Sequence, residues 1–480
     1  MNLPRIAVLH HARSFFPLDL FQRTRESAQL IWVLDDAFVG DTTTARLLRR
    51  IGTVVDIAGL DDDAAAELIA RAEPNGILSF VDDHIPRAAA LAHRLGLRYH
   101  SEELAHILTD KAAQREALAR FGIPAPAYAV VTANSTPEQL ANLVDRLVFP
   151  SVLKPVSGMG SRGIRLLHRP EELLELAGAA HDHVIEEFLV DSDELPSWAA
   201  SYLSVETVVV SGTAHHLALT GRFPLAPPFR ETGNFIPAVV DDKLREQLTT
   251  MADRIVGALG VRDSVLHIEI KLTPDGPRLI EVNGRLGGRP GFVLESISDV
   301  NLFAIACQVA AGVPVQLDEP VHVDGVGFWL MVQPPQTANA IIAIDGLGDV
   351  EELPGVRLVD PKRQAGEAVD WRDGTDSNTR LAESDLRRRA KGRHRRGSIA
   401  VSYTADRWGS RCRGSWTFRH SRARWARCED LVPSPVRTYD CGIPLCVSSV
   451  NMSAPSTSCK GDSSVRANRR RAGGASCVQR

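Results

Sequence analysis

The sequence predicts a multidomain protein of mixed α/β and α+β class, opening with a small Rossmann-like parallel sheet. Three observations carry this expectation. Residues 1–105 alternate short apolar, β-branched runs with helical patterns, as a doubly wound sheet requires. A glycine-rich loop at 158–163 lies between two strand-like runs. Farther on, Thr273-Pro274-Asp275-Gly276-Pro277 separates two apolar runs, a strong hairpin signal.

The first strands are expected at 6–9, 30–34, 54–57 and 77–81, with a helix at 86–95 after the last. Strand one leads into His10-His11-Ala12-Arg13-Ser14, which has no glycine fingerprint and argues against a dinucleotide there. One helix is expected over 101–121, closed by Gly122 and Pro124. Strands follow at 128–131, 151–154 and 164–167, with helices at 137–147 and 170–177, the second opening on Pro170. Further strands are expected at 184–189, 203–210, 215–220, 265–272 and 278–282, with a helix at 243–259. Four regions result: 1–105, an N-terminal α/β domain; 106–314, a central domain; 315–383, a small α+β cap; and 384–480, a tail.

Charge divides the chain in the same place. The 480 residues carry a formal net charge of −4, which favours neither nucleic acid nor an anionic membrane as partner. Residues 381–480 hold 21 Lys+Arg against 7 Asp+Glu, and residues 1–380 hold 34 against 52. The tail has no apolar period and too little core material to fold alone. It also holds Cys412, Cys428, Cys441, Cys446, Cys459 and Cys477, none in a Cys-x2-Cys pair of the kind that holds zinc. So abrupt a change fits a shifted reading frame or an unrelated disordered extension. The first 400 residues hold only Cys307, and no signal peptide or membrane-length apolar run is read. A cytoplasmic protein is expected.

Two segments carry chemistry. In 265–285, strand alternation puts His267, Glu269 and Lys271 on one face, and Glu281, Asn283 and Arg285 on one face of and beyond the partner strand. A hairpin would bring Glu269 near Glu281 and Asn283, an all-oxygen set suited to magnesium, with Arg285 beside it for phosphate oxygens. An exposed hairpin of alternating charge is the alternative. In 149–163, Gly158, Gly160 and Gly163 match G-x-G-x-x-G by spacing, but a strand follows instead of the helix a Rossmann fingerprint opens. Such a loop can fold over phosphates, with Lys154 supplying a point charge. An ordinary glycine-rich hairpin reads the same way.

Taken with Thr109-Asp110-Lys111, Arg115, Leu118 and Gly122-Ile-Pro-Ala-Pro, these segments resemble the ATP-grasp superfamily, and within it the L-amino acid ligases and related carboxylate–amine ligases. Ile185-Glu-Glu-Phe-Leu-Val190 is similar to its hinge strand and Ser204-Val205-Glu206 to its next signature. The resemblance covers roughly residues 1–380. It implies an ATP-grasp fold and an ATP-dependent ligase that forms an amide or peptide bond through an acyl phosphate. It further implies that Lys111 and Lys154 touch the ATP phosphates, that Gly158, Gly160, Ser161 and Gly163 close over them, and that Glu186, Glu187, Phe188 and Leu189 frame adenine. Glu269, Glu281 and Asn283 would hold magnesium (or manganese). Arg285 would stabilise the transferring phosphoryl group, with Glu206 and His267 near the reacting centre. The partners implied are a small-molecule carboxylate and an amine, with room for a homodimer. A departure lies at 191–202, longer than the family's turn, where Asp193 or Glu194 would replace its ribose-contacting Glu. A biotin carboxylase-like enzyme and a catalytically silent nucleotide-binding protein are the rival functions.

Overall fold

The computed structural model describes residues 2–11, 14–35, 42–317, 321–353, 355–359, 361–377, 379–386, 396–405 and 411–419. The N-terminal part runs β1 (Arg5–His10), α1 (Pro17–Thr24), β2 (Gln29–Leu34), α2 (Thr42–Ile51), β3 (Thr53–Asp56), α3 (Asp62–Ala70), β4 (Gly76–Ser79) and α4 (Ile85–Leu95). Its four strands are parallel in the order β3-β2-β1-β4. Alternate residues of β1 feed opposite cores: Ile6 and Val8 pack with Trp32 and Leu20, whereas Ala7 and Leu9 pack with Ile31, Val33 and Leu91. A strand buried on both faces explains why these runs are nearly all apolar.

The single helix expected at 101–121 is two, α5 (Glu102–Thr109) and α6 (Lys111–Ala119). Asp110 breaks it. Its backbone is extended (φ −116°, ψ 114°), and its carboxylate accepts the Ala113 N–H as a new N-cap. Lys111 therefore starts a helix, and its own N–H reaches the Val156 carbonyl at 2.8 Å.

Next come β5 (Tyr128–Val131), α7 (Pro137–Val144), β6 (Ser151–Pro155), β7 (Arg165–Leu167), α8 (Pro170–Leu174) and β8 (His183–Glu187). The four strands form an antiparallel sheet in the order β5-β8-β6-β7, and the glycine-rich loop joins β6 to β7.

The chain continues through β9 (Tyr202–Val210), β10 (Thr213–Arg222), β11 (Gly233–Ile236), α9 (Asp242–Leu259), β12 (Ser264–Thr273), β13 (Gly276–Asn283), α10 (Pro290–Ile297), α11 (Leu302–Ala311), β14 (Val326–Val332), β15 (Ala338–Asp345), α12 (Leu347–Glu351), β16 (Val356–Leu358), β17 (Thr379–Leu386), β18 (Arg396–Ala405) and β19 (Arg411–Arg419). An eight-stranded sheet has the order β13-β12-β9-β10-β11-β14-β17-β16. One face of its β9 and β12 buries Val205, Val209, Leu266 and Ile268 against Leu248, Met251 and Ile255 of α9. The other face is left for the site.

Two expectations change here. β14, β16 and β17, which a boundary at 315 assigns to a separate cap, hydrogen-bond into the same sheet as the acidic hairpin. Backbone pairing overrides the shift in local pattern. The tail from 384 was expected to be the product of a shifted reading frame or a disordered extension. Instead residues 384–386 end β17, while β18 and β19 pair with β15 in a three-stranded sheet. Backbone ladder bonds need no apolar period, so composition gave no sign of them. The rest of the tail, with Cys428, Cys441, Cys446, Cys459 and Cys477, lies outside the described residues. Among the described residues no single helix is long and apolar enough to cross a membrane.

The N-terminal sheet is fixed to the rest by α11, which packs across β1 and β4. Contact is backbone to backbone at Gly76, where a Cβ would lie 2.6 Å from the Ala310 carbonyl. Gly76→Ala should therefore destabilise the protein by about 1–3 kcal/mol, since neither chain can yield like a flexible side chain. The urea unfolding midpoint measures it.

Candidate active site

A cleft of about 1780 Å³ lies between the four-stranded and eight-stranded antiparallel sheets and the carboxyl edge of the parallel one. Its floor is the acidic hairpin. β12 and β13 pair in a register that sets Glu269 opposite Glu281 and His267 opposite Asn283. A bulge after Glu269 interrupts the ladder just past these pairs. The Asn283 amide donates to the His267 carbonyl at 3.2 Å, and its Oδ1 accepts from Arg285 at 3.4 Å.

Two lysines enter from opposite sides. Lys111 Nζ lies 2.8 Å from Glu281 Oε1 and donates to the Gly158 carbonyl at 3.0 Å. It thus joins the hairpin to the glycine-rich loop. Burial opposes its charge, but Glu281 outweighs burial and raises its pKa. Lys154 Nζ lies 2.5 Å from Glu186, whose other oxygen takes Arg115 at 2.8 Å. Burial would push the Glu186 carboxyl up. Lys154 and Arg115 together outweigh it and hold the group at about 2. The Glu186 carboxylate, which also lines the cleft, is therefore a buried counterion for two cations. Of the other residues expected to frame adenine, Phe188 and Leu189 line the cleft, while Glu187 also lines it but turns its carboxylate to the Ala127 N–H at 3.1 Å.

The glycine-rich loop is pinned from above. Gly158, Gly160 and Gly163 have φ of 135°, 65° and 70°, and Ser161 one of 59°. The Thr375 N–H donates to the Gly160 carbonyl at 2.7 Å, Ser161 Oγ donates to the Phe229 carbonyl at 2.8 Å, and Arg162 meets Asp376 at 3.2 Å. A Cβ on Gly374 would come within 2.2 Å of the Gly160 carbonyl oxygen, so a glycine is needed there for this docking. Gly158, Gly160 and Ser161 line the cleft; Gly163 instead packs on Pro155.

A buried charged chain runs under the hairpin. His267 Nδ1 lies 2.8 Å from Glu206 and its Nε2 lies 3.2 Å from Glu269. Glu206 Oε1 also accepts from Ser204 at 2.7 Å and Thr220 at 2.9 Å. Burial would lower the His267 pKa, yet Glu206, then Glu269, raise it to about 9. Both carboxylates favour the protonated ring, which links a buried carboxylate to a cleft carboxylate. Glu206, expected near the reacting centre, is 1% exposed and does not line the cleft. It meets His267, which does line the cleft.

Sequence reasoning missed three site residues. Asp82 lies 2.5 Å from Arg285. Its signal was available, because an acidic pair after the last parallel strand sits at the carboxyl edge where open sheets place ligands. Arg115 follows Lys111 by one helical turn, a spacing that puts both on one face of α6. Arg222, 2.9 Å from Glu231 and beside His267 at 3.2 Å, gave no local signal. Of the two ribose candidates, Asp193 lines the cleft and Glu194 does not.

Residues 147–291, which hold Lys154, the glycine-rich loop and the acidic hairpin, match the family model of the ATP-grasp domain. That segment is similar to the ATP-grasp domain, and the chain spans about half or less of the curated relatives it matches. It is 28% identical over 295 residues to uncharacterized protein y4rH of Sinorhizobium fredii, covering 58% of this chain and 57% of that protein. To carnosine synthase 1 of Homo sapiens it is 30% identical over 264 residues, covering 50% of this chain and 31% of that enzyme. The ATP-grasp fold is shared with the L-amino acid ligase of Bacillus licheniformis at a TM-score of 0.64 and 19% identity, covering 80% of this chain and 94% of that one. Biotin carboxylase of Campylobacter jejuni superposes at 0.58 and 16% identity, covering 80% and 88%.

Glu186 gives an acid-dependent contribution to ATP-grasp domain stability. Its carboxyl falls from the ordinary 4.5 to about 2 on folding. The stabilisation is full above pH 4.5 and is lost as pH falls toward 2. A shift of this size corresponds to about 3 kcal/mol. Glu186→Gln should lower stability by that order at pH 7, with the gap to wild type narrowing between pH 4.5 and 2. Urea titrations across that range measure it.

Proposed function

We propose that the chain is an ATP- and magnesium-dependent ligase that activates a substrate carboxylate as an acyl phosphate and joins it to an amine, releasing ADP and phosphate. Amino acids are the substrate class, since relatives and fold neighbours include a carnosine synthase and an L-amino acid ligase. The observation that carries the reading is the junction at Lys111, where one ammonium touches both the acidic hairpin and the glycine-rich loop.

The donor set fits magnesium. Among the described residues no cluster of three or more His, Cys, Asp or Glu forms a complete protein cage. Two carboxylates and one amide oxygen suit instead an ion that keeps coordination places for phosphate and water. Glu269, Glu281 and Asn283 would hold it, and bound magnesium supplies charge neutralisation at the phosphate oxygens. His267 holds Glu269 in place from behind, with Tyr202 donating a hydroxyl to the same carboxylate.

The substrate carboxylate attacks the γ-phosphorus, and the bond to the bridging oxygen breaks to leave ADP. The amine then attacks the acyl carbon, and phosphate departs with the electrons of the carbon–oxygen bond. Such chemistry depends on positioning and charge stabilisation more than on covalent help. Lys111 and Lys154 meet the phosphates, and Arg285, oriented by Asp82, meets the phosphoryl group in transfer. The loop pinned by Thr375 and Asp376 keeps water from the acyl phosphate.

Glu281→Ala should reduce ADP release by roughly 10²–10³-fold, the range for removing one preorganised electrostatic contact. Chelation of divalent ions should abolish release, and added magnesium restore it. Phosphate release over pairs of amino acids is the assay. A folded Glu281→Ala protein working at the wild-type rate would sink the proposal, and turnover requiring biotin and bicarbonate would replace it with the carboxylase reading.

A further inference from the structure

Beyond the hairpin, the same cleft continues along β10, β11 and β14, past residues given no role above. Register aligns Arg222 with Asn234 and Asn234 with Trp329, so the three side chains stand in a row on the cleft face. Phe15, Phe80, Phe292 and Met331 line the same cavity. Two polar residues among these aromatic walls, Arg289 and Asn234, stand out.

The first is Arg289, the residue before α10, four positions after Arg285. Its guanidinium carbon lies 4.3 Å from the centre of the Trp329 ring and 4.9 Å from that of Phe292. Two aromatic faces fix the plane of the guanidinium, and their attraction for it offsets part of its desolvation. A planar cation fixed on a cleft wall suits a carboxylate, with its pair of N–H donors matching two oxygens. The second is Asn234. It is 2% exposed, lines the cleft, and its Oδ1 has no hydrogen-bond partner. A buried acceptor without a partner costs stability, so a donor from a ligand would complete it.

We infer that Arg289 and Asn234 form the acceptor pocket: Arg289 binds a free carboxylate on the amine substrate, and Asn234 Oδ1 accepts an N–H from its amine. The acceptor is then an amino acid, or a short peptide with a free C-terminal carboxylate, whose side chain meets Phe292, Trp329 and Met331. Amides, esters and simple amines would be poor acceptors. Both anchors are set against Trp329: Arg289 stacks on its ring and Asn234 is its partner in register. This deepens the ligase reading and rests on it for the word acceptor, though the pocket's preference is a matter of binding alone.

Calorimetric titration of the full chain, with magnesium and a non-hydrolysable ATP analogue, separates the two. The probes are neutral L-amino acids with apolar side chains and the matching amino acid amides. Wild type should bind the acids about tenfold to a hundredfold more tightly than the amides, the range for one charge-assisted contact. Arg289→Met should erase that ratio while leaving affinity for the ATP analogue unchanged, which also shows that the variant is folded. Arg289→Lys keeps the charge without the planar stack and should retain part of the ratio. Acids and amides bound equally by wild type, or an undiminished ratio in Arg289→Met, would overturn the pocket. ADP release from amino acids alongside either of those results would leave the ligase reading standing and reject the pocket only. A clear acid preference lost in Arg289→Met, with no ADP release from any acid, would support the pocket and reject the ligase.

Discussion

The cleft is organised around the ammonium of Lys111. It bridges Glu281 on the acidic hairpin and the Gly158 carbonyl on the loop between β6 and β7, two elements from different sheets. It can do so because Asp110 ends one helix and caps the next, setting Lys111 at a helix start with its N–H on Val156. Without that break a continuous helix would carry the side chain through a different angle. Hairpin, loop and helix therefore share one electrostatic junction, and a polyphosphate is the ligand whose charge would compete for the same lysine.

Around this junction the protein buries more charge than a structural core needs. Glu186 balances Lys154 and Arg115; Glu206 and Glu269 balance His267; Asp82 balances Arg285; Glu231 balances Arg222. Replacing such pairs by apolar residues often costs nothing or adds stability, whereas removing one partner costs about 3–5 kcal/mol. Their retention makes sense if the cations must be held charged and aimed before a nucleotide arrives. Preorganisation of this kind is the main route by which a site stabilises charge as it develops.

The two ends of the cleft differ in character for the same reason. Near Lys111 and Arg285 the walls are charged and paired. Near Arg289 they are aromatic, and its guanidinium lies against two ring faces. Charge-dense walls suit phosphates, and aromatic walls with two polar anchors suit a small organic acceptor. The eight-stranded sheet presents both on one face, because its strands run from the acidic hairpin through β10 and β11 to β14.

The sequence by itself determined the local chemistry. Alternation along 265–285 placed Glu269 and Glu281 toward one another, since a strand has a period of two and a Pro-Asp-Gly turn reverses the chain. The glycine spacing followed by a strand marked a loop between strands, since a helix would have been needed for a dinucleotide turn. The parallel sheet was legible because buried strands read as apolar runs. Contacts between distant segments were not legible. Asp82 meets Arg285 across 203 positions and Thr375 meets Gly160 across more than 200, and no local pattern encodes either. The same holds for Glu186, which reads as a hinge residue and becomes a counterion only when Arg115 and Lys154 close on it. It holds for Glu206, whose place beneath His267 depends on β9 lying beside β12. Side-chain periodicity fixes which face a residue takes, but only packing decides what stands opposite that face and how much water is left between them.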